Sequence, residues 1–221
     1  DQALAIKPDY VQAWSNRGLV LEALNLYEAS LASYDRALAI DPGHAEALSN
    51  RGNALKALGR YDEALASFER SLAIAPGYAE AHWNESLCRL LMGDFERGWS
   101  KYEWRWKWKH FSSAKREFSQ PLWLGKEDIN GKTLLLHAEQ GLGDTIQFCR
   151  YAKLVAERGA TVLLEVQPQL KALLGRLDGV NRMFSLGEPF PEFDFHCPLM
   201  SLPLALATRL ETVPCDVPYL F

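Results

Sequence analysis

The apolar positions change their spacing once along the chain, near Gln120-Pro121. Before that point they recur three to four residues apart, the period of a helix that buries one face. After it they come as short continuous runs. Lys132 to His137 (KTLLLH) and Thr161 to Val166 (TVLLEV) read as buried strands. Gly141 to Gly143 reads as a tight turn, Thr145 to Arg158 as a helix closed by Gly159, and the stretch after Pro168, near 169–177, as a second helix. Short strands around 180–184 and 193–196 and a helix near 200–208 complete the pattern. It predicts a helical first half, then a second half in which strands and helices alternate to build a parallel sheet covered on both faces.

The helical half repeats itself. Pro8, Pro42 and Pro76 stand 34 residues apart, and the same step carries Asn16, Asn50, Asn84; Gly18, Gly52, Ser86; Ser30, Ala64, Gly98; and Tyr34, Phe68, Tyr102. A small residue at 18 or 52 lets a second helix approach closely enough for the ring at 34 or 68 to pack across it. Proline at 42 and 76 lacks an N–H and disfavours helix in the residue before it, so it ends one unit and sets the angle to the next. A 34-residue period carrying these residues resembles the tetratricopeptide repeat (TPR). Units begin at Val11, Ala45 and Ala79, and stacked helix pairs of this kind form a curved solenoid with a concave surface. Residues 1–8 are in register with the end of a unit. They are expected to be the tail of an earlier repeat, and the chain a piece of something longer.

Asn16, Asn50 and Asn84 fall at one position of the first helix in each unit, so stacking aligns them on one face. A carboxamide both donates and accepts, which suits gripping the backbone of an extended peptide. Asparagines that cap or cross-link neighbouring helices are the alternative. The strings AWSN at 13–16 and ALSN at 47–50 resemble the asparagine ladder in the repeats of O-linked N-acetylglucosamine transferases. Arg17 and Arg51 adjoin the ladder and either favour an acidic partner or are simply solvated.

Charge enters next. The formal net charge of −4 argues against a protein whose whole surface follows a phosphate backbone. One segment departs from the average. Between 97 and 116, seven basic residues and one acidic residue interleave with Trp99, Tyr102, Trp104, Trp106, Trp108 and Phe111. Such a mixture can clamp single-stranded nucleic acid or lie on an anionic membrane surface. The reading preferred here is a terminal repeat helix. Phe95, Trp99, Tyr102 and Trp106 bury toward the solenoid, Trp104, Trp108 and Phe111 face another domain, and Lys101, Arg105 and Lys109 form a solvated stripe. The acidic remainder of the chain argues against both anionic partners, so neither nucleic acid nor membrane is expected. No apolar run reaches the ~20 residues that span a bilayer. Cys88, Cys149, Cys197 and Cys215 show no paired spacing, which points to reduced thiols and no structural metal.

In a parallel sheet, ligands bind beyond the carboxyl ends of the strands. The string there runs His137-Ala138-Glu139-Gln140-Gly141-Leu142-Gly143-Asp144-Thr145. It fails as a dinucleotide fingerprint because Ile146 holds the third glycine position and Asp144 repels a pyrophosphate; it lacks the Gly-Lys-Ser/Thr of a P-loop. The strings YEWRWKW, LLLHAEQGLGDTIQFCRYAKLVAERGA, FDFHCPLMSLPLAL and VPYLF resemble bacterial TPR proteins whose C-terminal part is heptosyltransferase-like, of the GT-B glycosyltransferase fold. The resemblance implies an all-α TPR superhelix over 1–111, a linker at 112–130 and an α/β Rossmann-like half domain of GT-B type over 131–221. It implies Asp144 as the base that takes a proton from a sugar acceptor, with Glu139, Gln140, Gly141 and Gly143 lining the acceptor turn. A nucleotide sugar would need the second half of such a fold, so this chain alone is expected to bind rather than transfer, without a cofactor, in bacterial cytoplasm. Asp144 as a helix cap, His137 as a packed core histidine, and a non-enzymatic TPR scaffold with a degenerate α/β part are the plainer alternatives.

Overall fold

The computed structural model describes residues 2–113 and 115–220, and the chain divides into two compact units, Asp1–Lys109 and His110–Phe221. The first unit is helical: α1 (Gln2–Ile6), α2 (Val11–Ala23), α3 (Tyr27–Ile40), α4 (Ala45–Ala57), α5 (Tyr61–Ile74), α6 (Ala79–Leu91) and α7 (Phe95–Tyr102). Close approach sets the pairing. A Cβ on Gly18 would lie 2.4 Å from the Tyr34 ring, and one on Gly52 2.5 Å from the Phe68 ring, both rings being fully buried. The turn between helices also obeys the repeat: Asn25, Gly59 and Gly93, 34 residues apart, all take positive φ, where glycine and asparagine are least strained.

The third helix pair departs from the pattern. Helix α7 stops at Tyr102 and passes into a 3-10 segment over Glu103–Lys107. Three residues per turn replace 3.6, so Lys101, Arg105 and Lys109 do not share a stripe. Arg105 is instead fully buried, its guanidinium 4.4 Å from the Trp106 ring centroid and 2.7 Å from Glu103. Trp104 stacks on His82 at 3.8 Å and Trp108 on Trp83 at 5.7 Å, so these rings pack on α6 of their own unit, where an outward face was expected. Four residues of the basic run meet acids, some local and some remote in sequence: Arg97 pairs with Asp94, Lys101 with Glu85, Arg105 with Glu103 and Arg116 with Glu165.

The second unit holds four parallel strands, β1 (Thr133–His137), β2 (Thr161–Val166), β3 (Arg182–Ser185) and β4 (Phe195–Pro198), in the order β3-β2-β1-β4. Leu135 pairs with Leu163 and with His196, and His137 with Glu165. The expected single helix at 145–158 is α8 (Leu142–Phe148) and α9 (Ala152–Ala156), separated by a 3-10 turn, and it begins three residues early at Leu142. Two shorter helices, α10 (Lys171–Leu174) and α11 (Leu202–Ala205), complete the unit. The chain steps from β1 to β2 to β3 and then returns past both to β4. A right-handed return places the β3–β4 connection on the opposite face. That connection supplies Phe190 and Phe193, which with Phe118 cover Leu135, Leu163 and Phe184, so loop phenylalanines cover this face. The segment expected as a linker belongs to this unit: Trp123 is 1% exposed and its N–H donates to the His196 carbonyl at 2.8 Å.

Candidate functional site

Two places bear on the residues singled out above, although of Asn16, Asn50, Asn84, Arg17 and Arg51 only Asn84 lines the first. The first is an open groove of about 520 Å³ in the helical unit, lined by Leu19, Glu22, Ala23 and Tyr27 from the first helix pair, Asn53, Lys56 and Ala57 from α4, and Asn84 from α6. First helices of three successive units therefore share one face. Asn50 and Asn84 are 5% and 9% exposed, whereas Asn16 is exposed and accepts a hydrogen bond from Gln12 at 3.0 Å. No hydrogen bond to the Asn84 side chain is found among the described residues, and the buried Oδ1 of Asn53 has no donor. An amide acceptor left dry in this way costs about 1–3 kcal/mol unless a ligand satisfies it.

The two arginines beside the ladder are held within the repeats. Arg17 donates to Ser33 Oγ at 2.7 Å, and Arg51 donates to Ser67 Oγ and to Asp35 Oδ1, both at 2.7 Å. The groove's own charged residues are Glu22 and Lys56, which the repeat columns alone did not single out. They sit six residues beyond Asn16 and Asn50, nearly two turns along the same helices. Burial pushes the Glu22 carboxyl up, opposed by the hydrogen bond from Tyr34 Oη at 3.1 Å and by Lys56. Burial pulls the Lys56 ammonium down.

The second place is the carboxyl edge of β1. Gly141 caps α8, and its N–H donates to Asp144 Oδ2 at 3.0 Å, so Asp144 closes the first helical turn from inside it. Asp144 thus stands at the third helical position and Gly141 at the N-cap, where Asp144 itself was considered as the cap. Gly141 and Gly143 are exposed, Glu139 and Gln140 half-buried. Gln167 Nε2 donates to the Gln140 carbonyl at 2.8 Å and pins the turn to the end of β2. His137 is packed, as expected: it is 2% exposed, its Nε2 lies 3.3 Å from His196 Nδ1, and the Phe118 ring lies against both. Among the described residues no group of His, Cys, Asp and Glu is arranged to hold a metal ion, and no helix is long and apolar enough to cross a membrane.

Residues 9–77 match the family model described as tetratricopeptide repeat. No curated protein matches the chain. Among solved structures, the first TPR of Spaghetti bound to an HSP90 peptide is similar at 18% identity and a TM-score of 0.42, covering 42% of this chain and 75% of that one. The Sgt2 TPR domain from Aspergillus fumigatus is similar at 28% identity and a TM-score of 0.41, covering 42% and 62%, and MamA at 22% and 0.44, covering 47% and 60%. This chain thus spans less than two thirds of the Sgt2 and MamA chains. The 34-residue period, the ring-on-glycine pairing and the family match agree that residues 9–77 are tetratricopeptide repeats.

Proposed function

We propose that the helical unit captures an extended peptide segment of a partner protein in the groove lined by Leu19, Tyr27, Asn53, Lys56 and Asn84. The observation that carries this reading is the pair of amides, Asn53 and Asn84, that face the groove without hydrogen-bond partners among the described residues. An extended peptide offers an N–H and a carbonyl at each residue, which matches both ends of a carboxamide. The apolar stems of Leu19, Ala23 and Ala57 supply contact area that does not depend on partner sequence. Fluorescence anisotropy with labelled unstructured peptides tests the reading on the whole chain. Asn53→Ala with Asn84→Ala is expected to weaken capture about tenfold while leaving the thermal midpoint within a few degrees. Unchanged affinity with a collapsed midpoint assigns the asparagines to packing.

A second reading concerns the α/β unit and rests on the start of α8 beyond β1, where Gly141 and Gly143 are exposed and Gln167 pins Gln140. There the unit is the acceptor-side half of a glycosyltransferase of the GT-B kind. Asp144 takes the acceptor hydroxyl proton, and Glu139 and Gln140 orient the acceptor. A nucleotide-sugar donor is bound by a partner half, and this chain by itself transfers nothing. Sugar transfer by the protein together with such a half, compared with Asp144→Asn, tests the assignment. Equal rates leave the unit a non-catalytic scaffold.

A further inference from the structure

We propose that the groove selects a basic segment: a lysine or arginine of the bound peptide sits against Glu22, flanked by Glu80 and Glu46, while its backbone bonds to Asn53 and Asn84. The inference rests on the peptide-capture reading and adds the charge of the partner, reversing the acidic preference that Arg17 and Arg51 suggest in sequence.

The geometry removes those two arginines from consideration, since both are bonded to side chains of the second helices. What faces the groove instead is one ammonium, Lys56, and the half-buried carboxylate of Glu22. Glu46 and Glu80 stand in the first turns of α4 and α6, each four residues before a ladder asparagine, and so on the ladder face. Gln12 occupies the matching position in α2, and its hydrogen bond to Asn16 shows that this column meets the ladder. Glu80 acts on Glu22 electrostatically, and Glu46 acts on Tyr34, whose hydroxyl donates to Glu22. Glu22 and Lys56 balance within the groove, and Glu80 and Glu46 at its margin tip the surroundings negative. Burial and Glu80 both work against the ionised form of Glu22. A cation placed beside it relieves both penalties, whereas an acidic ligand must compete with Glu22 for Lys56 alone. Asn53 and Asn84 mark the backbone path, and Glu22 marks the side-chain pocket beside it.

The test uses three labelled peptides of equal length on a serine–alanine background, carrying central lysines, central glutamates or neither, with the whole chain as receptor. The lysine peptide is expected to bind about tenfold more tightly than the glutamate peptide, the neutral one falling between, with the spread shrinking as salt is raised. Glu22→Gln is expected to reduce the lysine preference roughly three- to fivefold. Lys56→Gln is expected to widen the preference. Should Glu22→Gln fail to fold by circular dichroism, Glu80→Gln gives the same direction with a residue outside the helix core. Glutamate peptide binding as tight as lysine peptide overturns the charge assignment and keeps the groove. If none of the three peptides binds, or if all bind but Asn53→Ala with Asn84→Ala changes nothing, peptide capture in the groove itself falls.

Discussion

Arg89 offers the sharpest test of what holds the third helix pair in place. Its side chain is 4% exposed and meets three carboxylates: Glu85 at 2.7 Å, Asp94 at 2.8 Å and Glu69 at 2.8 Å. Glu85 is 1% exposed and uses its other oxygen on Lys101 at 2.8 Å. Burial disfavours the guanidinium charge, but the hydrogen bonds it donates to Glu85 and Asp94, with their negative charge, outweigh this and raise the pKa. Arg89→Leu keeps most of the volume and removes the charge. Asp94 and Glu69 retain water access and recover much of their solvation. Glu85 does not, and is left with Lys101 alone. Removing one partner of a buried pair costs about 3–5 kcal/mol; with Lys101 remaining, the low end applies, about 3 kcal/mol. In a unit of this size that is a fall of roughly 12–20 °C in the midpoint. Thermal and urea unfolding followed by circular dichroism measure it. The double variant Glu85→Leu with Arg89→Leu is expected to recover at least half the loss, because no uncompensated charge stays buried. A single variant costing less than about 1 kcal/mol, or a double variant costing the sum of the singles, refutes the reasoning.

Three further predictions follow from local geometry. Gly52→Ala is expected to cost about 1–3 kcal/mol despite the better helix propensity of alanine, because its Cβ lands 2.5 Å from the Phe68 ring, and Phe68→Leu in the same chain should restore part of it in urea melts. Native alkylation at mildly alkaline pH should label Cys215 and spare Cys88, Cys149 and Cys197, since only Cys215 is exposed and burial pushes the Cys149 thiol up to about 12; mass spectrometry reads the site. Burial, then Lys115 and Arg116, lower the His196 pKa below its ordinary value of 6.5. Its contribution to stability is therefore complete above that value and is lost as pH falls through the lowered folded pKa, so His196→Phe should flatten the acid side of the stability curve below pH 6.5.

How much of this was legible beforehand differs between the units. In the helical unit the period, the helix pairs and the role of Gly18 and Gly52 follow from residue columns, because each repeat is built from contacts within about 34 residues. The groove's composition did not follow. Asn16, Asn50 and Asn84 share a column, yet only Asn84 lines the cavity, beside Asn53, Glu22 and Lys56, which lie one and nearly two turns away from the ladder position. A search by identity across repeats misses them, since this face is the one that varies from unit to unit. Reading every helical position within two turns of the ladder would have found them. In the second unit the strands were near their expected places, but the covering of the Leu135 face by Phe118, Phe190 and Phe193 was not foreseen, because those residues carry no periodic signal.

By itself, then, the sequence determined the repeat, its register and the parallel strand–helix grammar, all properties of spacing along the chain and of what single residues permit the backbone. Only the tertiary structure decided which charges remain available. Arg17 and Arg51 look free in the sequence and are bonded to Ser33, Ser67 and Asp35; Lys101 and Arg116 of the basic run look uncompensated and meet Glu85 and Glu165. The physical reason is that Coulomb energy and desolvation depend on distance in space and on exclusion of water. Partners at these separations in the sequence become neighbours only once the helices and strands have packed.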